Sequence, residues 1–142
     1  MNANDAKLTA LLTAQSGSRV EDNAPNAPDH PKFDLVVEAV AGNAIGNNGM
    51  PYTLTIKAMD LTTVTPAPAL DPTVPPQSFN TPLWKLSGGG PDYESTQVFK
   101  ITVPPTVPAG PLHDHVLQYV ASLVNSNGQI ASIITSDPFV LV

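Results

Sequence analysis

Sixteen prolines are scattered through this chain of 142 residues. Each fixes φ and removes a backbone donor, so a bundle of long helices is excluded and many short elements joined by turns are required. The stretches between the prolines carry a second signal, apolar residues at every other position. Phe33, Leu35, Val37 and Ala39 alternate with Asp34, Val36, Glu38 and Val40, and Tyr52, Leu54, Ile56 and Ala58 alternate with Thr53, Thr55 and Lys57. A period of two puts one apolar face on a strand. The same pattern recurs at Phe99, Ile101 and Val103, and again at Leu117, Tyr119, Ala121 and Leu123.

Turn chemistry separates these runs. Gly42 to Met50 (GNAIGNNGM) reads as a turn, because Asn and Gly tolerate positive φ. Thr62 to Ser78 contains five prolines and reads as an extended, polyproline-like loop. Phe79 to Leu86 carries the single tryptophan, Trp84, in what reads as a short apolar strand, followed by the flexible Ser87–Asp92 (SGGGPD). Asn125–Gly128 (NSNG) is a hairpin signal, and Ser136–Asp137–Pro138 marks a kink in the last strand before Phe139 and Leu141 resume the core face. The segment Asp5–Gln15 fits either a helix capped by Asn4 or Asp5 or an edge strand; strand is preferred because the rest of the chain is β. Six strands result, and a seventh if that segment is β. With no helix between them, the sheets must be mainly antiparallel.

The length suits one domain with a proper core. Residues 1–31 read as an N-terminal strand or arm plus a polar loop, and residues 32–142 as the body of the sandwich. The formal charge is −6, and the six basic residues are spread singly along the chain. Without a basic stripe, binding to nucleic acid or to an anionic membrane surface is not expected. The absence of cysteine excludes disulfides, thiolate metal sites and a Cys nucleophile. No basic n-region precedes a long apolar core, so a cytoplasmic location is the default expectation.

The last 40 or so residues resemble the closing hairpin of bacterial immunoglobulin-like and fibronectin-III-like modules. The residues concerned are Pro108–Ala109–Gly110, the strand HVLQYVASLV, Asn125–Gly128, and a final strand ending SDPFVLV. The resemblance implies an antiparallel immunoglobulin-like β-sandwich of about seven strands. The pattern departs in lacking the cysteine pair, in placing Tyr119 nine residues after Gly110, and in setting Trp84 behind a proline-rich insertion.

Candidate chemistry is sparse. His113 and His115 lie two apart, so in an extended segment both imidazoles share a side and could share a metal, with His30 the only other histidine. A polar strand entrance after a proline corner is the simpler reading. Loop carboxylates recur (Glu21, Asp22, Asp29; Asp71; Asp92, Glu94) without a calcium-loop pattern. Asp34, Glu38 and Asp60 lie in strands, and no nucleophile elbow, Walker loop or dinucleotide fingerprint occurs, so no cofactor is expected. Trp84 and Tyr93 flank the Gly-rich loop and could stack on a sugar, although a core tryptophan is the simpler reading. Val36, Val40, Met59, Val116, Val120 and Val124 put apolar residues on strand faces that should meet solvent. They suggest an interface, or a surface covered by residues 1–31. The expectation is a non-enzymatic binding, adhesion or structural module with a protein partner or self-association. The alternatives are a glycan-binding module and a small metal-dependent enzyme.

Overall fold

The computed structural model describes residues 1–26, 31–104 and 112–142. The expected corner at Pro108–Gly110, and Asp29 and His30, lie outside the described residues. Ten strands occur in the order β1 (Ala6–Gln15), β2 (Lys32–Ala41), β3 (Pro51–Asp60), β4 (Thr65–Pro66), β5 (Gln77–Ser78), β6 (Lys85–Leu86), β7 (Tyr93–Thr102), β8 (Val116–Asn125), β9 (Ala131–Thr135) and β10 (Phe139–Val140). A one-turn helix, α1 (Asn43–Asn47), stands where the sequence reads as a turn. Gly46 of this turn lies so close to Tyr93 that a Cβ would overlap the ring.

The strands form two antiparallel sheets. The first has the order β1–β2–β7–β6. The second is built on the β3–β8 pair, with β9 and β10 side by side in sequence along the outer edge of β8 and with β4 and β5 at opposite ends of β3. The alternation in sequence is what packs them. Phe33, Leu35 and Val37 of β2 face Leu54, Ile56, Leu117 and Tyr119 of the second sheet, and all lie in one buried cluster. The architecture is therefore an all-β sandwich.

Aromatic rings close both ends. Phe33 packs on Phe139 and Tyr119, with centroids 5.7 and 6.5 Å away, and Tyr119 stacks on Phe139. Tyr52, Phe79 and Trp84 form the other cluster, with Phe79 4.6 Å from Tyr52 and 5.1 Å from Trp84. Burying rings of this size contributes roughly 2 kcal/mol each.

Three elements differ from the sequence reading. Phe79 to Leu86 is not a strand: only Lys85 and Leu86 pair, and Phe79 and Trp84 enter the core from loop backbone. Thr62–Ser78 is irregular as expected, but its Leu70, in a 3-10 turn at Pro68–Leu70, is fully buried. The N-terminal segment is β1, paired with β2 along its whole length apart from a bulge between Leu8 and Ala10. The kink at Ser136–Pro138 is present as the break between β9 and β10.

Candidate interaction surface

The polar groups singled out by the sequence form structural ties. Trp84 is 5% exposed, donates from Nε1 to Tyr52 Oη at 3.1 Å and meets that ring edge-on. Its faces are covered by the core, as in the simpler reading of the sequence, so the alternative of a stacking platform from Trp84 and Tyr93 is not formed. Tyr93 is half-buried over Gly46, and its hydroxyl reaches Asn47 Oδ1 at 2.6 Å. Tyr52 Oη in turn donates to Gln77 Oε1, and Gln77 and Gln97 exchange amide hydrogen bonds at 2.8 and 3.0 Å. This chain ties the end of β3 to β7. Burial raises the Tyr52 hydroxyl pKa, only partly opposed by the Trp84 hydrogen bond.

The two histidines do not converge. Asp114 between them has φ +62°, so the segment is a turn rather than the extended run that would align 113 with 115. His115 Nδ1 lies 2.6 Å from Asp60 Oδ2, while His113 forms a bridge with Leu141. Among the described residues no group of three or more His, Asp or Glu side chains could hold a metal. Asp60 is a turn anchor. Its Oδ1 accepts from the N–H groups of Thr62 and Thr63. Burial would raise its carboxyl, but the hydrogen bonds from His115 and Thr63 and the His115 charge outweigh this and hold it below 3.8.

Asp34 is likewise tied. It is 2% exposed, 2.9 Å from Lys100 Nζ, and accepts from Gly17 N–H at 2.9 Å. Burial opposes its ionisation, yet Lys100, the Gly17 N–H and Arg19 together lower its pKa. Glu21 moves the other way: burial and then the neighbouring Asp137 raise it. Asp71 accepts from Ala58 N–H and sits 3.4 Å from Lys57 Nζ. Asp34, Asp60 and Asp71 each fasten a turn or a strand end.

The six apolar positions divide between opposite sides of the sandwich. Val36 and Val40 lie on the outer face of the first sheet. Val36 is 2% exposed because Leu12 and Val98 stand directly across from it on β1 and β7. Val40 is flanked by Lys7 and Glu94. These two do not belong to an exposed apolar surface, a correction that follows from register. The described part of residues 1–31 does not cover the outer face of the second sheet; on the first sheet only its Ser16–Arg19 turn lies against the outer face, at Asp34 and Lys100. β1 extends the first sheet, and Asn23 and Asn26 lie against β10 and Val142.

Met59, Val116, Val120 and Val124 do share a surface, the outer face of the second sheet. Cross-strand rows run Thr53–Val124–Ala131, Thr55–Ser122–Ile133 and Lys57–Val120–Thr135, with Val116 opposite Val140. Ile133 is 74% exposed, and Val116 and Val124 are each 39% exposed. Ile133 was not singled out in the sequence: the Asn125–Gly128 hairpin signal sets β9 beside β8, but which face Ile133 takes depends on the register of that hairpin. Lys57 is the only charged strand position on this face, on a protein of net charge −6. Isolated exposed apolar side chains are ordinary, and larger contiguous apolar patches are less so; this face sets exposed Ile133, Val116 and Val124 beside one lysine.

No protein-family model matches the chain, and no curated protein matches it. Among solved structures it is similar to the CooA pilin subunit from enterotoxigenic Escherichia coli, with a TM-score of 0.37 and 16% identity over 92% of this chain and 100% of that one.

Proposed function

We propose that this chain is a non-enzymatic structural or adhesion module that self-associates through the outer face of its second sheet. The observation that carries the reading is that face itself, with Met59, Val116, Val120, Val124 and Ile133 set among threonines and a single lysine. Strand positions without a carboxylate, with Asp71 at the margin paired to Lys57, let two acidic copies meet with little like-charge opposition, and β-branched rows interdigitate well across a sheet-on-sheet contact. The strand order supports an immunoglobulin-like sandwich, in which a four-stranded sheet of order A-B-E-D packs on a sheet centred on strands C and F. Such scaffolds serve recognition on their faces, edges and loops.

Light scattering coupled to size exclusion tests this on the untagged chain, with Val120→Lys and Ile133→Lys alongside. The wild type is expected to be oligomeric, and each variant to lose that contact with unchanged circular dichroism. A wild type that stays monomeric on concentration, or variants that assemble as before, would defeat the reading.

A further inference from the structure

A sandwich has strand edges that must be covered or paired, and among the described residues the long edges other than that of β7 are covered for at least part of their length. β1 runs beside β9, with Leu8 N–H on Ser132 Oγ at 3.0 Å. β10 is closed by Asn23, whose carbonyl accepts from Val140 N–H at 2.8 Å. β3 is covered by β4, the Pro68–Leu70 turn and β5. β7 differs. β2 pairs its entire length on one side, but on the other β6 reaches only Tyr93 and Glu94.

Backbone polarity along β7 is fixed at both ends. Ser87 N–H donates to Asp92 C=O on the β6 side, and Val103 N–H donates to Pro31 C=O on the β2 side. Even-numbered residues therefore point their N–H and C=O groups away from β2. For Thr96, Val98, Lys100 and Thr102 these groups find no partner among the described residues. Long bare edges are ordinarily blunted by proline, a bulge or a charge lying across them. This one has none: β2 pairs with it in continuous register, and the Lys100 ammonium is drawn to Asp34 on β2.

We propose that the bare edge of β7 pairs antiparallel with the β7 edge of a second copy of this chain, about a two-fold axis at Phe99. The free run itself selects the register. β6 blocks it at Glu94 and Pro104 removes the next outward donor, so the unpaired residues are centred on Phe99. That register sets Thr96 opposite Thr102, Val98 opposite Lys100 and Phe99 opposite its own counterpart. It satisfies all four outward residues with about eight hydrogen bonds. Threonine pairs and an aromatic pair are favourable cross-strand neighbours, and no like charges oppose. Phe99 and Val103, half-buried at the margin of the core, become covered. The contact lies on the sheet opposite to the apolar face of the proposed function. A copy using both contacts builds an open chain rather than a closed dimer.

Sedimentation over a concentration series separates the two contacts. With Ile133→Lys in place, the edge contact alone remains, and a dimer is expected. Val98→Pro removes an outward N–H without touching the ladder to β2, and is expected to weaken that dimer at least tenfold. Val98→Lys sets lysine opposite Lys100 and is expected to weaken it several-fold. Val98→Asp is expected to strengthen it by a similar factor; these two also serve if the proline variant does not fold. An Ile133→Lys protein that is monomeric throughout overturns the edge contact and leaves the face reading standing. So does a dimer indifferent to all three substitutions at Val98, as would be seen if the edge took only a foreign peptide. Assembly lost on Val98→Pro but untouched by Ile133→Lys supports the edge and removes the face.

Discussion

β3 and β7 are the edge strands of the two sheets on the same flank of the sandwich, and the chain treats them in opposite ways. Of the β3 residues whose backbone groups point to that flank, Tyr52, Ala58 and Asp60 meet partners on the connection, whereas on β7 only the end beside β6 is paired. The connection between β3 and β7 explains both. It leaves β3 through a turn held by Asp60 and pairs for two residues as β4. It then buries Leu70, whose carbonyl accepts from Tyr119 Oη at 2.8 Å, and pairs for two residues as β5. Pro66, Pro68, Pro72, Pro75 and Pro76 have no N–H, so this strap covers the edge by packing more than by laddering. A groove of about 330 Å³ between the strap and β3, lined by Tyr52, Leu54, Val74 and Pro76, is what remains open. By the time the chain reaches β6 only two residues are left to pair, and the rest of the β7 edge has no partner among the described residues. An edge can thus be closed without a strand, and the prolines that close one cannot ladder onto the other.

The most disruptive way to break this contrast is to remove the plug. Leu70→Ala leaves a cavity under the strap and is expected to cost about 2–5 kcal/mol in denaturant unfolding. It should also loosen the strap from β3, so hydrogen exchange at Ala58, whose N–H is held by Asp71 of the strap, should speed up selectively. Equal protection in variant and wild type would mean that the strap is held by β4 and β5 alone.

Asp34 sharpens the other half of the contrast, because it keeps Lys100 off the β7 edge. Asp34→Asn is expected to cost about 1–3 kcal/mol at neutral pH, the usual worth of charge-assisted hydrogen bonds. It should also weaken edge pairing by freeing the lysine. The pH dependence has a definite sign. The Asp34 carboxyl is lowered in the folded state, so its stabilisation is present above the unfolded value of about 4 and is lost as pH falls through the folded one. Asp60 contributes in the same direction. Glu21, raised by burial and by Asp137, opposes them, since its term fades as pH rises. The asparagine variant should therefore show a flatter loss of stability in acid than the wild type. Unchanged steepness would place the acid sensitivity elsewhere.

Tyr119→Phe probes the strap more gently. It removes the donor to Leu70 C=O inside the core and should cost about 1–3 kcal/mol, less than the loss of Leu70 itself. A neutral result would mean that the carbonyl finds another donor.

What the sequence made legible follows the reach of its signals. Period-two alternation is local, and it placed β2, β3 and β8 correctly, as Ser136–Asp137–Pro138 did the kink before Phe139. It also favoured β at Asp5–Gln15, where hydrophobic spacing left helix open, because a helix there would have had no surface to pack on. Phe79 and Trp84 read as a strand because two core aromatics in a short run look the same whether ladder or loop carries them. His113 and His115 looked aligned because positive φ at Asp114 leaves no mark in residue type. Met59, Val116, Val120 and Val124 were legible as outward-facing; that Val36 and Val40 lie on the other sheet depends on register with β1 and β7. The bare edge was illegible, since it depends on where β6 stops.

The smallest effect concerns the residue at which that pairing ends. Ser95 is the first position of β7 beyond β6; its side chain faces inward opposite Ala39 and is 4% exposed. Its Oγ has no hydrogen-bond partner among the described residues. A buried hydroxyl without a partner carries its desolvation cost uncompensated, so removing it should help rather than harm. Ser95→Ala is therefore expected to leave stability unchanged or raise it by up to about 1 kcal/mol, measured by the urea midpoint at constant slope. The comparison with Tyr119→Phe is the informative part. Both remove one buried hydroxyl, on β8 behind the covered edge and on β7 behind the bare one, and the signs should be opposite. A clear loss on Ser95→Ala would mean that the hydroxyl is satisfied in solution, and that the flank of β7 next to β6 is more completely built than its hydrogen bonds indicate.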